Sequence, residues 1–135
     1  MSVAVGHSDS PEGRAALLAA AAEAALMDTE LLVLHVVGGV DPTPGRSQLD
    51  RLDTHVRTTL ADGGSPPVRW SLRTAAEGND AAGALVDLLT ETGAELLVLG
   101  SRRRSAVGKL LLGSTVQRVV LDSPVPVLVV KAHYR

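Results

Sequence analysis

"ELLVLHVV", Glu30 to Val37, holds one acid, one histidine and six aliphatic residues in a row. A strand with one solvated face would alternate apolar and polar residues. A nearly continuous apolar run belongs instead to a strand covered on both faces, which requires helices above and below a parallel sheet. The flanks fit that arrangement. Upstream, "PEGRAALLAAAAEAALMD" reads as a helix with Ser10 or Asp9 as N-cap, Pro11 at its first position and Glu12 in its first turn. Its many alanines permit close packing on a sheet. Before it, "SVAVGH", Ser2 to His7, reads as a first strand.

Downstream, "GGVDPTPGR" is a Gly- and Pro-rich loop. Leu49, Leu52, Val56 and Leu60 then recur at helical spacing, predicting a more polar helix over Ser47 to Leu60. "GGSPP" is a turn, and "PVRWSLRT", Pro67 to Thr74, alternates Val68, Trp70 and Leu72 with polar neighbours. That pattern predicts a half-exposed strand at a sheet edge, which a leading proline also suits. Asn79 or Asp80 caps a third helix carrying Ala84, Leu85, Leu88 and Leu89, with Gly93 just past its end. "AELLVLG" is a fourth strand, a fourth helix runs from Ser114 to Leu121, and "SPVPVLVVK" supplies the last strand.

Strands alternating with helices predict an α/β fold with a parallel sheet. Right-handed crossovers, with the third strand at an edge, favour the order 3-2-1-4-5, so that the winding reverses between strands 1 and 4. Ligands of open α/β sheets settle at the carboxyl ends of the strands beside such a reversal. The loops there are "GHSDS" and "GSRRRSAVGKLLLGS", Gly100 to Ser114.

Composition narrows the chemistry. The chain has 135 residues, enough for one domain with a sizeable core, here taken as 1–135. It contains no Phe and no Cys, and Trp70 and Tyr134 are its aromatics. Disulfides, thiolate chemistry and cysteine zinc sites are excluded. The aromatic platform of a single-strand nucleic-acid binder is missing, and a formal net charge of −2 is wrong for such a partner. The opening "MSVAVGHSDS" has neither the basic segment nor the apolar run of a signal peptide. No apolar run approaches the ~18 residues that span a bilayer, so a cytoplasmic protein without membrane or nucleic-acid partners is expected.

The Gly100–Ser114 stretch is not a P-loop. Gly108-Lys109 is followed by Leu110, where a Mg²⁺-binding Ser or Thr would stand. It does offer a helix start at Gly113-Ser114-Thr115, where backbone N–H groups, two hydroxyls and the positive end of the helix dipole can meet an anion. Alternatively, Ser114 is an ordinary N-cap. The arginine run Arg102-Arg103-Arg104 reads either as a solvated turn or as a source of one ligand contact. The four histidines do not make a metal site: His7 and His35 could be neighbours at strand ends, while His55 and His133 look surface-exposed. No nucleophile elbow accompanies Ser8, and the aspartate that a phosphoacceptor domain needs after its third strand is replaced by Thr74, so neither hydrolase nor receiver chemistry is expected.

"VAVGHSDSPEGRAAL", "LLVLHVV" and "LLVLGSRRRSAVGKLLLGSTVQRVVLDSPVPVLVVK" together resemble the universal stress protein family along essentially the whole chain. The resemblance implies a Rossmann-like five-stranded parallel sheet with helices on both faces, and a homodimer through the last strand, with Val125, Val127 and Val129 at the contact. ATP-binding members carry G-x2-G-x9-G-[S/T] after strand 4. Gly100 and the Gly113-Ser114 pair match it, and Arg103 replaces the middle glycine. Such members place an aspartate just after strand 1, where this chain has Ser8, and a strand-2 residue faces the adenine, matched by Val36. The implied nucleotide site is Ser8, Val36, Leu99, Gly100, Arg103, Gly113, Ser114 and Thr115, with ATP or AMP as ligand and Mg²⁺ accompanying ATP. The function implied is a non-enzymatic stress-response module with a weak or degenerate nucleotide cleft. The alternative is a nucleotide-free interaction module whose cleft Arg103 fills.

Overall fold

The computed structural model describes residues 1–38, 45–102 and 113–132. Arg103, Arg104 and His133 therefore lie outside the described residues. The elements are β1 (Ser2–Gly6), α1 (Pro11–Leu26), β2 (Glu30–Val37), α2 (Arg46–Asp62), β3 (Trp70–Ala76), α3 (Ala81–Thr92), β4 (Leu96–Ser101), α4 (Ser114–Asp122) and β5 (Val127–Lys131). All pairings are parallel, and the sheet order is β3-β2-β1-β4-β5, with the expected reversal between β1 and β4.

The apolar runs divide by parity. Val3 and Val5 of β1, Leu31 and Val33 of β2, and Val98 of β4 pack with Leu17 of α1 and with Val56 and Leu60 of α2. Ala4, Leu32, Leu34, Leu97 and Leu99 pack with Leu85, Leu88 and Leu89 of α3 and Val119 of α4. Both faces of the central strands are thus buried, as the continuous apolar pattern requires. Ala16, Ala20, Ala21 and Ala24 are wholly buried, which seats α1 directly on the sheet without any large side chain between them.

The helix signals resolve to single residues. Ser10, not Asp9, caps α1, its Oγ accepting from the Gly13 amide at 3.0 Å. Asp80, not Asn79, caps α3 by accepting from the Gly83 amide at 3.0 Å. Gly93 ends α3 in the left-handed region at φ 66°. At α4 the cap is Gly113, which offers no side chain, and Ser114 is already helical. The N-cap reading of Ser114 is therefore off by one residue.

Two strands are displaced from their expected limits. β3 starts at Trp70, paired with Leu31, and runs on to Ala76, two residues past Thr74. Pro66 and Pro67 have no amide to donate, so the ladder begins only beyond them. Likewise β5 starts at Val127, after Pro124 and Pro126.

The candidate ligand cleft and a histidine cluster

The carboxyl ends of β1, β2 and β4 border a cavity of about 200 Å³, lined by Gly6, His7, Ser8, Leu34, Val36, Ala81, Leu85, Leu99, Gly100 and Thr115. Of the residues that the family resemblance implies, Ser8, Val36, Leu99, Gly100 and Thr115 line this cavity. Gly113 and Ser114 stand beside them at the start of α4 without lining the cavity. Among the described residues no side-chain oxygen caps that helix, and a helix start of this kind presents backbone amides suited to an anion. Wider grooves occur elsewhere and are less suitable. One of about 370 Å³ lies at the amino ends of the strands, by Ala24, Thr29 and Val68. Another, of about 500 Å³, runs along β3 and α3 and presents Glu77, Asp80, Asp87 and Glu91, which would repel a phosphate.

Gly100 owes its identity to packing. A Cβ there would lie 2.2 Å from the carbonyl oxygen of Glu12, at the start of α1, on the sheet face opposite Leu99. The glycine therefore lets the first turn of α1 approach β4, and it need not touch a ligand to be required. Gly6 shapes the cleft floor: a Cβ there would meet Leu99 Cδ2 at 2.7 Å. Ser8 is exposed, and its hydroxyl is already bonded at 2.8 Å to the hydroxyl of Ser10, the α1 cap.

His7 continues the β1 ladder, its amide donating to the Leu34 carbonyl at 2.8 Å. Its side chain shares a sheet face with His35. His7 Nδ1 lies 3.0 Å from His35 Nδ1, and His7 Nε2 lies 2.8 Å from His55 Nδ1 on α2. The neighbourhood of His7 and His35 is as expected, but the surface exposure expected of His55 is not observed. Its side chain is 23% exposed, because α2 lays this turn against the strand ends. Burial and the neighbouring rings His35 and His55 push His7 down to about pKa 4, against a raising pull from Asp9. Burial lowers His35 as well, against an opposing hydrogen bond with the His7 backbone. His7 spends both ring nitrogens on hydrogen bonds, so the rings do not converge on one metal position. No group of three or more His, Cys, Asp or Glu able to hold a metal occurs among the described residues.

A family model for the universal stress protein family matches residues 1–131. The chain belongs to the universal stress protein family. A universal stress protein of Mycolicibacterium smegmatis is 42% identical over 135 residues, covering 97% of this chain and 98% of that protein. Among solved structures, a universal stress protein from Archaeoglobus fulgidus is 25% identical, with a TM-score of 0.72, covering 96% of this chain and 97% of the other. A structure of a universal stress protein from A. fulgidus in complex with dAMP is 21% identical with a TM-score of 0.69, and 96% of each chain is covered. At that identity the match establishes the shared fold.

In this universal stress protein, the lining residues that sequence reasoning missed are Gly6, His7, Leu34, Ala81 and Leu85. Gly6 and Leu34 were within reach, since they have the parity of the cleft-side residues in β1 and β2. Ala81 and Leu85 were not, because only the docking of α3 brings them there. No helix among the described residues is long and apolar enough to cross a membrane.

Proposed function

We propose that this universal stress protein is a cytoplasmic stress-response module that acts as a homodimer and holds an adenine nucleotide, or another phosphate-bearing ligand, weakly and without turning it over. The convergence of Ser8, Val36, Leu99, Gly100 and Thr115 on one cleft, beside the start of α4, carries this reading. Apolar walls suit a purine, and the helix start suits a phosphate. The dAMP held by the A. fulgidus neighbour supports an adenine nucleotide as the class of ligand. No carboxylate lines the cleft among the described residues, so Mg²⁺ would arrive on the phosphates of ATP.

Two observations support weak binding. The cavity, at about 200 Å³, is below the roughly 300–1,000 Å³ of sites that enclose a drug-sized ligand. Ser8 also stands where the family resemblance places an aspartate, which forgoes a charge-assisted bond worth about 1.5–3 kcal/mol. Titration calorimetry with AMP and with Mg-ATP tests the reading on wild type, Arg103→Gly, and Arg103→Gly combined with Ser8→Asp. Wild type should bind weakly or undetectably, and each change should tighten binding roughly tenfold or more. Micromolar wild-type binding that is lost in Arg103→Gly would make the arginine a ligand contact. No binding by any variant would leave the nucleotide-free dimeric module.

The homodimer reading rests on β5. It pairs with β4 on one side and, among the described residues, with no strand on the other, and Leu128 is 39% exposed. An apolar open edge favours pairing with a second copy. Val125 and Val127 pack on the core, which leaves Val129 as the better probe of the edge. Light scattering at micromolar concentration should give a dimer for wild type and a monomer for Val129→Lys. A monomeric wild type would refute this assignment of the edge.

A further inference from the structure

The hydrogen bonds of the histidine cluster have a direction that Asp9 sets. His55 Nε2 lies 3.2 Å from Asp9 Oδ1, close enough for an ion pair but without the alignment of a hydrogen bond. A bare lone pair facing that carboxylate would be repelled, so the nitrogen carries the hydrogen. Neutral His55 then accepts at Nδ1, which makes His7 Nε2 the donor of the 2.8 Å bond. Neutral His7 in turn accepts at Nδ1, which makes His35 Nδ1 the donor of the 3.0 Å bond. One set of tautomers therefore satisfies both ring-to-ring bonds and the contact with Asp9, while the His7 backbone also accepts from the His35 ring.

We propose that this imidazole chain is a proton relay, in which a proton arriving at His35 Nε2 appears as positive charge on His55 and closes an ion pair with Asp9 in the loop between β1 and α1. The added proton allows the Nδ1 hydrogen of His35 to pass to His7 Nδ1. The Nε2 hydrogen of His7 then passes to His55 Nδ1. His55 ends with two N–H groups and one positive charge, His7 and His35 remain neutral, and both N–H···N bonds survive with reversed direction. The charge on His55 supplies the attraction that its present alignment with Asp9 lacks. The effect is to tie the loop between β1 and α1 to α2.

The groups facing His7 are His35 from β2, His55 from α2 and Asp9 from the loop before α1. Arg14 of α1 reaches the same Asp9 oxygen at 3.3 Å and competes with His55 for it. Burial keeps His7 from holding the charge itself, with a pKa near 4, so its role is to pass the proton on. Nothing in this chain of steps needs a nucleotide.

Imidazole ¹⁵N spectra of the full chain, recorded from pH 7.5 to pH 4.5, test the relay. In wild type His7 should switch from its Nε2–H to its Nδ1–H tautomer in the same step in which His55 takes its charge. In Asp9→Asn, a change at an exposed residue, the tautomer switch of His7 should come at lower pH than in wild type, because the carboxylate that favours the added charge is gone. A His7 that keeps its tautomer through the first proton step would overturn the relay. So would an Asp9→Asn variant that titrates like wild type.

Discussion

Gly100→Ala is expected to destabilise the protein by about 3 kcal/mol, at the upper end of the usual cost of overpacking a tight contact. The added Cβ would lie 2.2 Å from the Glu12 carbonyl oxygen and 2.5 Å from its carbon. Both are backbone atoms, so no rotamer change clears the clash and the first turn of α1 must lift from the end of β4. That turn is already anchored there by Arg102, whose Nε lies 3.4 Å from Glu12 Oε1. Gly113→Ala is the control: among the described residues a Cβ at that position meets nothing within 4 Å, and the change should cost under about 1 kcal/mol. Urea unfolding midpoints of the two variants decide the matter, and similar values would mean that α1 yields more easily than its packing implies. The same result governs how binding data are read. A Gly100 variant that fails to bind nucleotide has lost its helix seating and need not have lost a ligand contact.

Acidification is expected to weaken folding by on the order of 2 kcal/mol between pH 6.5 and about 4, through His7 alone. The folded pKa of His7, about 4, is below the ordinary value of 6.5, so in this window the unfolded chain binds a proton that the folded ring refuses. Stability therefore rises with pH and is lost as pH falls from 6.5. The full shift would be worth roughly 3 kcal/mol, reduced here because the ring is only part-buried. His35 is shifted in the same direction and steepens the loss. Asp80 acts lower on the scale: its hydrogen bonds from Arg118 hold its carboxyl below the usual range, so its stabilising contribution persists until pH falls through that depressed value. Urea midpoints at pH 7, 6, 5 and 4.5 should fall progressively for wild type. His7→Gln keeps a hydrogen-bonding side chain without the titration, and its midpoints should fall less. A flat wild-type profile above pH 4.5 would show that the histidine cluster opens to water.

The parallel sheet, its order and its helices were legible in the sequence because each depends on local pattern. Apolar continuity in "ELLVLHVV" required cover on both faces, and Pro11 and Gly93 marked helix ends by backbone chemistry confined to a few residues. The place of the cleft followed as well, since strand order alone locates the reversal between β1 and β4. Where two neighbouring residues could each do a job, the local pattern could not choose. The selection of Ser10 over Asp9, of Asp80 over Asn79, and of Gly113 over Ser114 depended on where the incoming chain left each side chain. Gly100 was visible as part of a glycine pattern, but the need for it comes from Glu12, 88 residues earlier in the chain, pressing on β4. His55 is the plainest case. On a polar helix its own spacing reads as exposed, and only the packing of α2 over the ends of β1 and β2 brings it within 2.8 Å of His7. Burial and long-range contact are properties of the assembled layers, so they remain undetermined until the helices dock on the sheet.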